Sequence, residues 1–245
     1  MQTAAGTFRR SPQAALETDK IYEDTGGLFF DADGDKDNDL LLISGGYEAT
    51  APAAWQPRLY INDGKGNFTK KPDGLPTLTE IFQKVAAHDF DNDGDLDLFV
   101  AGSALLLYLN DGSGGFTDRT AATGLGGITV RDGRGAAAAD LDGDGDLDLV
   151  VTQNGGAPIL LRNEGGSRNR WLEVVPRGLN SNKEGIGTKI EVLAGPTWQR
   201  REVQAGGGYL SQSPPSAHFG LGERALADVV RLLWPGGVLQ SELDV

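Results

Sequence analysis

The run from His88 to Val100, HDFDNDGDLDLFV, places aspartate at 89, 91, 93, 95 and 97, with Gly94 inside the run and an apolar tail behind it. Five like charges packed into nine residues repel one another strongly unless a cation sits among them. Alternate carboxylates around a glycine-permitted turn supply the oxygen donors of a calcium loop. Such a loop uses side chains at positions one, three, five and nine and a main-chain carbonyl at seven. Counted from Asp89, these are Asp89, Asp91, Asp93 and Asp97, with the carbonyl of Asp95.

The run recurs twice. DLDGDGDLDLV offers Asp140, Asp142, Asp144 and Asp148, the carbonyl of Asp146, and Gly145 at the turn. DADGDKDNDLLL offers Asp31, Asp33, Asp35 and Asp39 with the carbonyl of Asp37, but its sixth position is Lys36. A lysine there must accept an unfavourable backbone angle and brings a positive charge near the ion. About three calcium ions are therefore expected, with the Asp31 site the weakest, or distorted so that Gly34 takes part in the turn. An EF-hand is excluded, because it needs a bidentate glutamate at position twelve. That position holds Leu42, Val100 and Val151.

A second marker shares the period. RLYINDGKGNFT, LLYLNDGSGGFT and ILLRNEGGSRNRW place Asn62, Asn110 and Asn163 at intervals of 48 and 53 residues, against 58 and 51 for the aspartate runs. The third copy lacks the closing Phe-Thr. Each unit reads as four strands, around the central copy Lys84–His88, Leu96–Ala101, Leu105–Asn110 and Gly115–Thr117. The aspartate loop joins the first two, and the Asp111-Gly112 turn joins the last two. Repeated four-stranded units of this length predict an all-β chain, a partial β-propeller of about three four-stranded blades. Propellers usually close with about four to eight blades, and an open fan exposes strand edges. Missing blades or self-association are expected to close it.

The aspartate loops resemble the FG-GAP/VCBS repeats of integrin-type β-propellers over roughly residues 26–165. The resemblance implies calcium on the outer face of the propeller, in a structural role, pinning the connection between the first two strands of a blade. After residue 165 the pattern changes to RWLEVVP, GTKIEVLAG and TWQRREVQAG, strands of a small β-sandwich-like unit. Division into residues 1–168 and 169–245 follows. The second part resembles the ASPIC/UnbV domain. The residues that carry this are Trp171-Leu172, Ser181-Asn182, Gly185-Ile186-Gly187, Arg201-Glu202-Val203, Gly207-Gly208-Tyr209-Leu210-Ser211-Gln212, Phe219-Gly220-Leu221-Gly222 and Trp234-Pro235-Gly236-Gly237. The resemblance implies a final strand beyond the Trp-Pro turn, so the C-terminal end reads as clipped. The pairing of the two parts is similar to bacterial surface or secreted proteins and to the cartilage acidic protein family. It implies extracellular placement, calcium binding and no catalytic mechanism.

Composition narrows the function classes. A net charge of −13 argues against nucleic acid and anionic membrane surfaces as partners. The three loops hold fifteen of the 35 acidic residues. No cysteine is present, which excludes a disulfide scaffold or a thiol enzyme, and no apolar run approaches the ~20 residues of a membrane span. The first fifteen residues lack the apolar core of a signal peptide, so secretion to the extracellular space, cell surface or periplasm would need a signal upstream.

No Gly-x-Ser-x-Gly elbow, His-Glu-x-x-His or phosphate loop occurs. His88 and His218 fall in different domains and read as structural. Gly206–Tyr209 with Trp198 and Trp234 could form a sugar-binding face, though core aromatics explain them better. The chain thus reads as a non-enzymatic, calcium-stabilised adhesion or binding module for a polysaccharide or protein. The alternative is an accessory region of a larger secreted hydrolase or lyase.

Overall fold

The computed structural model describes residues 9–45, 52–78, 82–165, 169–179, 181–206 and 212–245. A five-residue helix, α1 (Ala14–Thr18), precedes a chain of antiparallel sheets. The first sheet runs β1 (Asp24–Phe30), β2 (Asp39–Ser44), β3 (Arg58–Asn62) and β4 (Phe68–Lys70) in sequence order. The second runs β5 (Phe82–His88), β6 (Asp97–Gly102), β7 (Leu105–Asn110) and β8 (Phe116–Asp118). The third contains β9 (Gly133–Ala139), β10 (Asp148–Gln153) and β11 (Ile159–Leu161). Strand β5 lies between β1 and β9, so the first strand of each unit forms the inner edge of a fan of blades.

The near-continuous apolar runs of the second strands follow from this stacking. Successive side chains of a strand point to opposite faces. On β6, Leu98 and Val100 enter a core shared with the first blade, beside Leu41, Ile43 and Leu59. Phe99 and Ala101 enter a core shared with the third, beside Leu149 and Val151. Both faces of the central blade are covered, so neither set can be polar. The third blade departs from the expected four strands: among the described residues it has three. Its hairpin lacks the Phe-Thr that forms β4 and β8, and the chain leaves instead for the C-terminal unit.

That unit packs a four-stranded sheet against a two-stranded one. The larger sheet has the order β14 (Thr197–Glu202), β13 (Lys189–Ala194), β16 (Val229–Leu233), β17 (Leu239–Leu243). The smaller pairs β12 (Arg170–Val174) with β15 (Ala217–Gly222). Ile190, Val192, Phe219, Val230 and Leu232 form the core between them. The strand that the resemblance placed beyond the Trp-Pro turn is present as β17, paired with β16 along its length.

At the other end, the residues around α1 tie onto the first blade. Gln13 bonds the backbone of Gly66 and Phe68 across the β3–β4 turn. Asp19 accepts from the Tyr60 hydroxyl at 2.5 Å and pairs with Lys70 at 2.8 Å.

Candidate metal centres

Each aspartate loop bridges the first two strands of its blade, and the same bonds recur in all three. The carboxylate at position nine, on the first residue of the second strand, accepts a backbone N–H with each oxygen. One comes from position two of its own loop: Ala32 to Asp39 at 2.8 Å, Phe90 to Asp97 at 2.8 Å, Leu141 to Asp148 at 3.0 Å. The other comes from the hairpin asparagine: Asn62 at 2.8 Å, Asn110 at 2.9 Å, Asn163 at 2.8 Å. Two of these asparagines also join blades. The Asn110 amide donates to the carbonyl of Ala32 at 2.9 Å, and that of Asn163 to the carbonyl of Phe90 at 3.1 Å. The sequence marks them as repeat markers without revealing either task.

The carboxylate at position one accepts from the N–H at position six, Lys36 at 2.9 Å, Gly94 at 3.0 Å and Gly145 at 3.0 Å. Reaching it takes left-handed backbone at both four and six. The φ angles are 78° and 74° at Gly34 and Lys36, 60° and 106° at Asn92 and Gly94, and 79° and 93° at Gly143 and Gly145. Lys36 therefore adopts the unfavourable angle its position demands. Gly34 takes part in the turn, but as position four does in every copy, so the first loop keeps the common backbone rather than a distorted one.

Oxygens from positions one, three and nine converge: Asp31, Asp33 and Asp39; Asp89, Asp91 and Asp97; Asp140, Asp142 and Asp148, each trio within 4.8 Å of one another. Oxygens on opposite sides of an ion bound at ~2.4 Å stand about that far apart. The position-five carboxylates of Asp35, Asp93 and Asp144 lie outside these trios. Each instead accepts the N–H of position seven at 2.9 Å. The side chains of Asp37, Asp95 and Asp146 turn toward the hairpin glycines. A Cβ on Gly64, Gly112 or Gly165 would stand 3.1, 2.5 or 2.9 Å from their Oδ2 atoms.

The electrostatics fit a cation. Oδ1 of Asp33, Asp37, Asp89 and Asp91 are buried without a hydrogen-bond partner, a costly state for an anionic oxygen. Burial pushes the carboxyl of Asp97 up to about 9 and that of Asp89 up to about 7, the latter despite the opposing Arg201 guanidinium. Asp39, Asp91 and Asp95 rise to about 6, again through burial first, with neighbouring carboxylates adding to it. Asp31, Asp33, Asp37 and Asp146 shift upward for the same reasons. An all-oxygen, acceptor-only set suits calcium rather than zinc or copper.

The C-terminal unit is seated on these loops. Gly220 N donates to Asp89 Oδ2 at 2.9 Å, and a Cβ on Gly220 would stand 2.3 Å from that oxygen. Arg201 donates to the carbonyl of Gly94 at 3.3 Å, Asn169 to that of Asp91 at 2.9 Å, and Arg200 to that of Lys36 at 3.3 Å. Trp171 covers Gly145 and stacks on His218 with ring centroids 5.8 Å apart.

The two histidines that the sequence assigned to separate domains line one cavity of about 230 Å³ between the inner strands and this unit. Burial drives both rings down to about 4, so they are neutral near pH 7. Of the expected sugar-binding face, residues 207–209 lie outside the described residues. Trp198 stacks with the cations of Lys36 and Arg231, and Trp234 packs against the C-terminal core.

Comparison with known families agrees with this layout. The FG-GAP-like repeat family matches residues 31–100 and 89–151, each match spanning two aspartate loops. The ASPIC and UnbV family matches residues 178–245. Cartilage acidic protein 1 of Xenopus tropicalis is 28% identical over 240 residues, covering 89% of this chain and 35% of that protein. The Mus musculus protein of the same name is 28% identical over 211 residues, covering 75% of this chain and 30% of its own length. The Homo sapiens protein is 27% identical over the same span and coverage. The chain thus spans about a third of the length of the curated relatives it matches.

Proposed function

For a chain that combines FG-GAP-like repeats with a C-terminal ASPIC and UnbV domain, we propose a calcium-stabilised extracellular binding module without catalytic activity of its own. The observation that carries the calcium half is the set of buried, unpartnered carboxylate oxygens in the first and second loops. Asp31, Asp33 and Asp39, with their counterparts in the other loops, would hold the ions. Position five would swing in from its turn bond, and the carbonyls of Asp37, Asp95 and Asp146 would complete the set. When bound, calcium neutralises the clustered carboxylates and locks the strand connection. Affinity expected for extracellular modules, about 10⁻⁴ to 10⁻³ M, would leave the sites mostly empty at cytosolic calcium. Among the described residues no helix is long and apolar enough to cross a membrane.

The ligand is a polysaccharide or protein, and a groove on the outer face of the C-terminal sheet favours one with negative charge. Lys189, Arg200 and Arg231 line it with Glu191, which pairs with Arg231 at 3.0 Å, and with the exposed Leu233 and Leu239. Three cations against one carboxylate beside apolar surface stand out on a chain of net charge −13. An array of acidic and neutral glycans and matrix proteins, probed with and without calcium, tests the reading. A calcium-dependent, salt-sensitive hit supports it. A screen with no such hit, or melting curves that coincide in calcium and chelator, overturns it.

A further inference from the structure

Asn92 occupies position four of the second loop, where the other two loops have Gly34 and Gly143. In those loops the position-four N–H donates to Oδ1 of the position-one aspartate, at 2.9 and 2.8 Å. In the second loop Asp89 Oδ1 is buried without a partner, and Asn92 is used otherwise. Its side chain is 1% exposed and fully engaged. Nδ2 donates to the carbonyl of Gly145 at 3.1 Å and to Asp146 Oδ1 at 3.0 Å, both in the third loop. Those two acceptors fix the amide orientation, so Oδ1 is the acceptor for His218 Nε2–H at 2.6 Å. Its backbone carbonyl accepts the N–H of Gly222 at 3.0 Å. One residue therefore joins the second loop, the third loop and strand β15 of the C-terminal unit.

We propose that Asn92 couples ion binding in the second and third loops to each other and to seating of the C-terminal unit. The inference rests on the calcium reading above. Gly145 and Asp146 are positions six and seven of the third loop, the stretch whose N–H holds Asp140 and whose carbonyl would face the ion. Ordering that stretch fixes the Asn92 amide. The fixed amide orders the left-handed turn of the second loop and presents Oδ1 to His218. Two sites that share an ordering step bind cooperatively, and the factor is reciprocal. A coupling of about tenfold lies in the usual range.

Asn92→Gly is the discriminating variant, because glycine is native to this position in the other two loops and accepts the same angle. Calcium titration by calorimetry is followed alongside ¹⁹F NMR of protein labelled with 5-fluorotryptophan, in which Trp171 reports seating on Gly145 and His218. The wild type should titrate with a Hill slope above one, its Trp171 signal moving in step with the heat. In Asn92→Gly the slope should fall, and the Trp171 signal should follow the ions less closely. His218→Ala, which removes the side-chain branch to β15 and leaves the backbone bond from Gly222, should keep the slope and weaken the Trp171 response. A wild-type slope of one, or an unchanged slope in Asn92→Gly, overturns the coupling of the loops. An unchanged Trp171 response in His218→Ala overturns the branch to the C-terminal unit. Absence of calcium heat in the wild type would instead sink the underlying calcium reading.

Discussion

Asp97→Asn separates what an ion contributes from what the carboxyl contributes as a hydrogen-bond acceptor. Asp97 is fully buried, and its two oxygens accept the N–H groups of Phe90 and Asn110 at 2.8 and 2.9 Å. Without calcium, burial holds its carboxyl up to about 9, so near pH 7.5 the group is already protonated. The amide is nearly isosteric with that neutral acid. Its NH₂ nonetheless faces one of the two backbone donors, leaving an unsatisfied buried group at about 1–3 kcal/mol. In chelator the variant should lose about that much.

In calcium the variant should lose more, because the proposed ion site would lose a ligand that every copy of the loop offers. A site with dissociation constant 10⁻⁴ to 10⁻³ M contributes about 1.4–2.7 kcal/mol at about 10 mM calcium. The total loss there should be about 2–6 kcal/mol. Urea melts in the two media measure both quantities, and their difference cancels the hydrogen-bond cost. Equal losses with and without calcium would refute the assignment of Asp97 as a ligand, whatever the absolute size. A loss near zero in chelator would refute the accounting of its two backbone bonds.

Acidity should act in the opposite sense to calcium. The raised carboxyls bind protons more tightly folded than unfolded, so in chelator stability should be greatest near pH 4. It should fall as pH rises through the folded values of about 6 at Asp39, Asp91 and Asp95, 7 at Asp89 and 9 at Asp97. Calcium at the proposed sites would replace those protons, so its stabilising effect should be larger at about pH 8 than at about pH 5.5, as thermal melts in both buffers would reveal. Lys36→Gly removes a left-handed lysine with φ 74° and should stabilise the chain by about 1 kcal/mol while tightening calcium at the first loop. Weaker binding in a titration of that variant would count against the charge argument. Gly145→Ala puts a methyl carbon 1.5 Å from Trp171 Nε1. It should dislodge Trp171 and cost roughly 2 kcal/mol or more, visible as altered tryptophan emission and a lower melting temperature.

Much of the blade architecture is legible because two periodicities superpose. The aspartate loop demands fixed spacing for its donors, and the strand after it must be apolar on both faces because blades stack on each side. Leu98 and Val100 face one neighbour and Phe99 and Ala101 the other, so an unbroken apolar run carries the strand assignment without alternation. The third blade shows what composition hides. Its missing Phe-Thr is visible, yet the departure of the chain toward β12 depends on packing that no local window contains. The C-terminal unit was recognisable by motif, whereas its place on the blades was not.

The candidate site divides along the same line. Position nine lies beside positions one and three, and its carboxylate caps one backbone donor of its own loop and one of the hairpin. Spacing does not distinguish positions five and seven, whose side chains respond to turn geometry and to the hairpin glycine opposite. Nor does it pair Asn92 with His218, 126 residues apart. The one local trace of that junction is an asparagine where the sister loops have glycine. An asparagine tolerates the left-handed angle with some strain, so its presence implies that its amide has work elsewhere. The hairpin asparagines extend this logic along the fan. Asn110 and Asn163 each reach back to the loop of the preceding blade while their own N–H closes on position nine. An ion that orders one loop therefore orders the surface on which the next blade rests. Calcium in this architecture would fasten the joints between units as much as the turn within each.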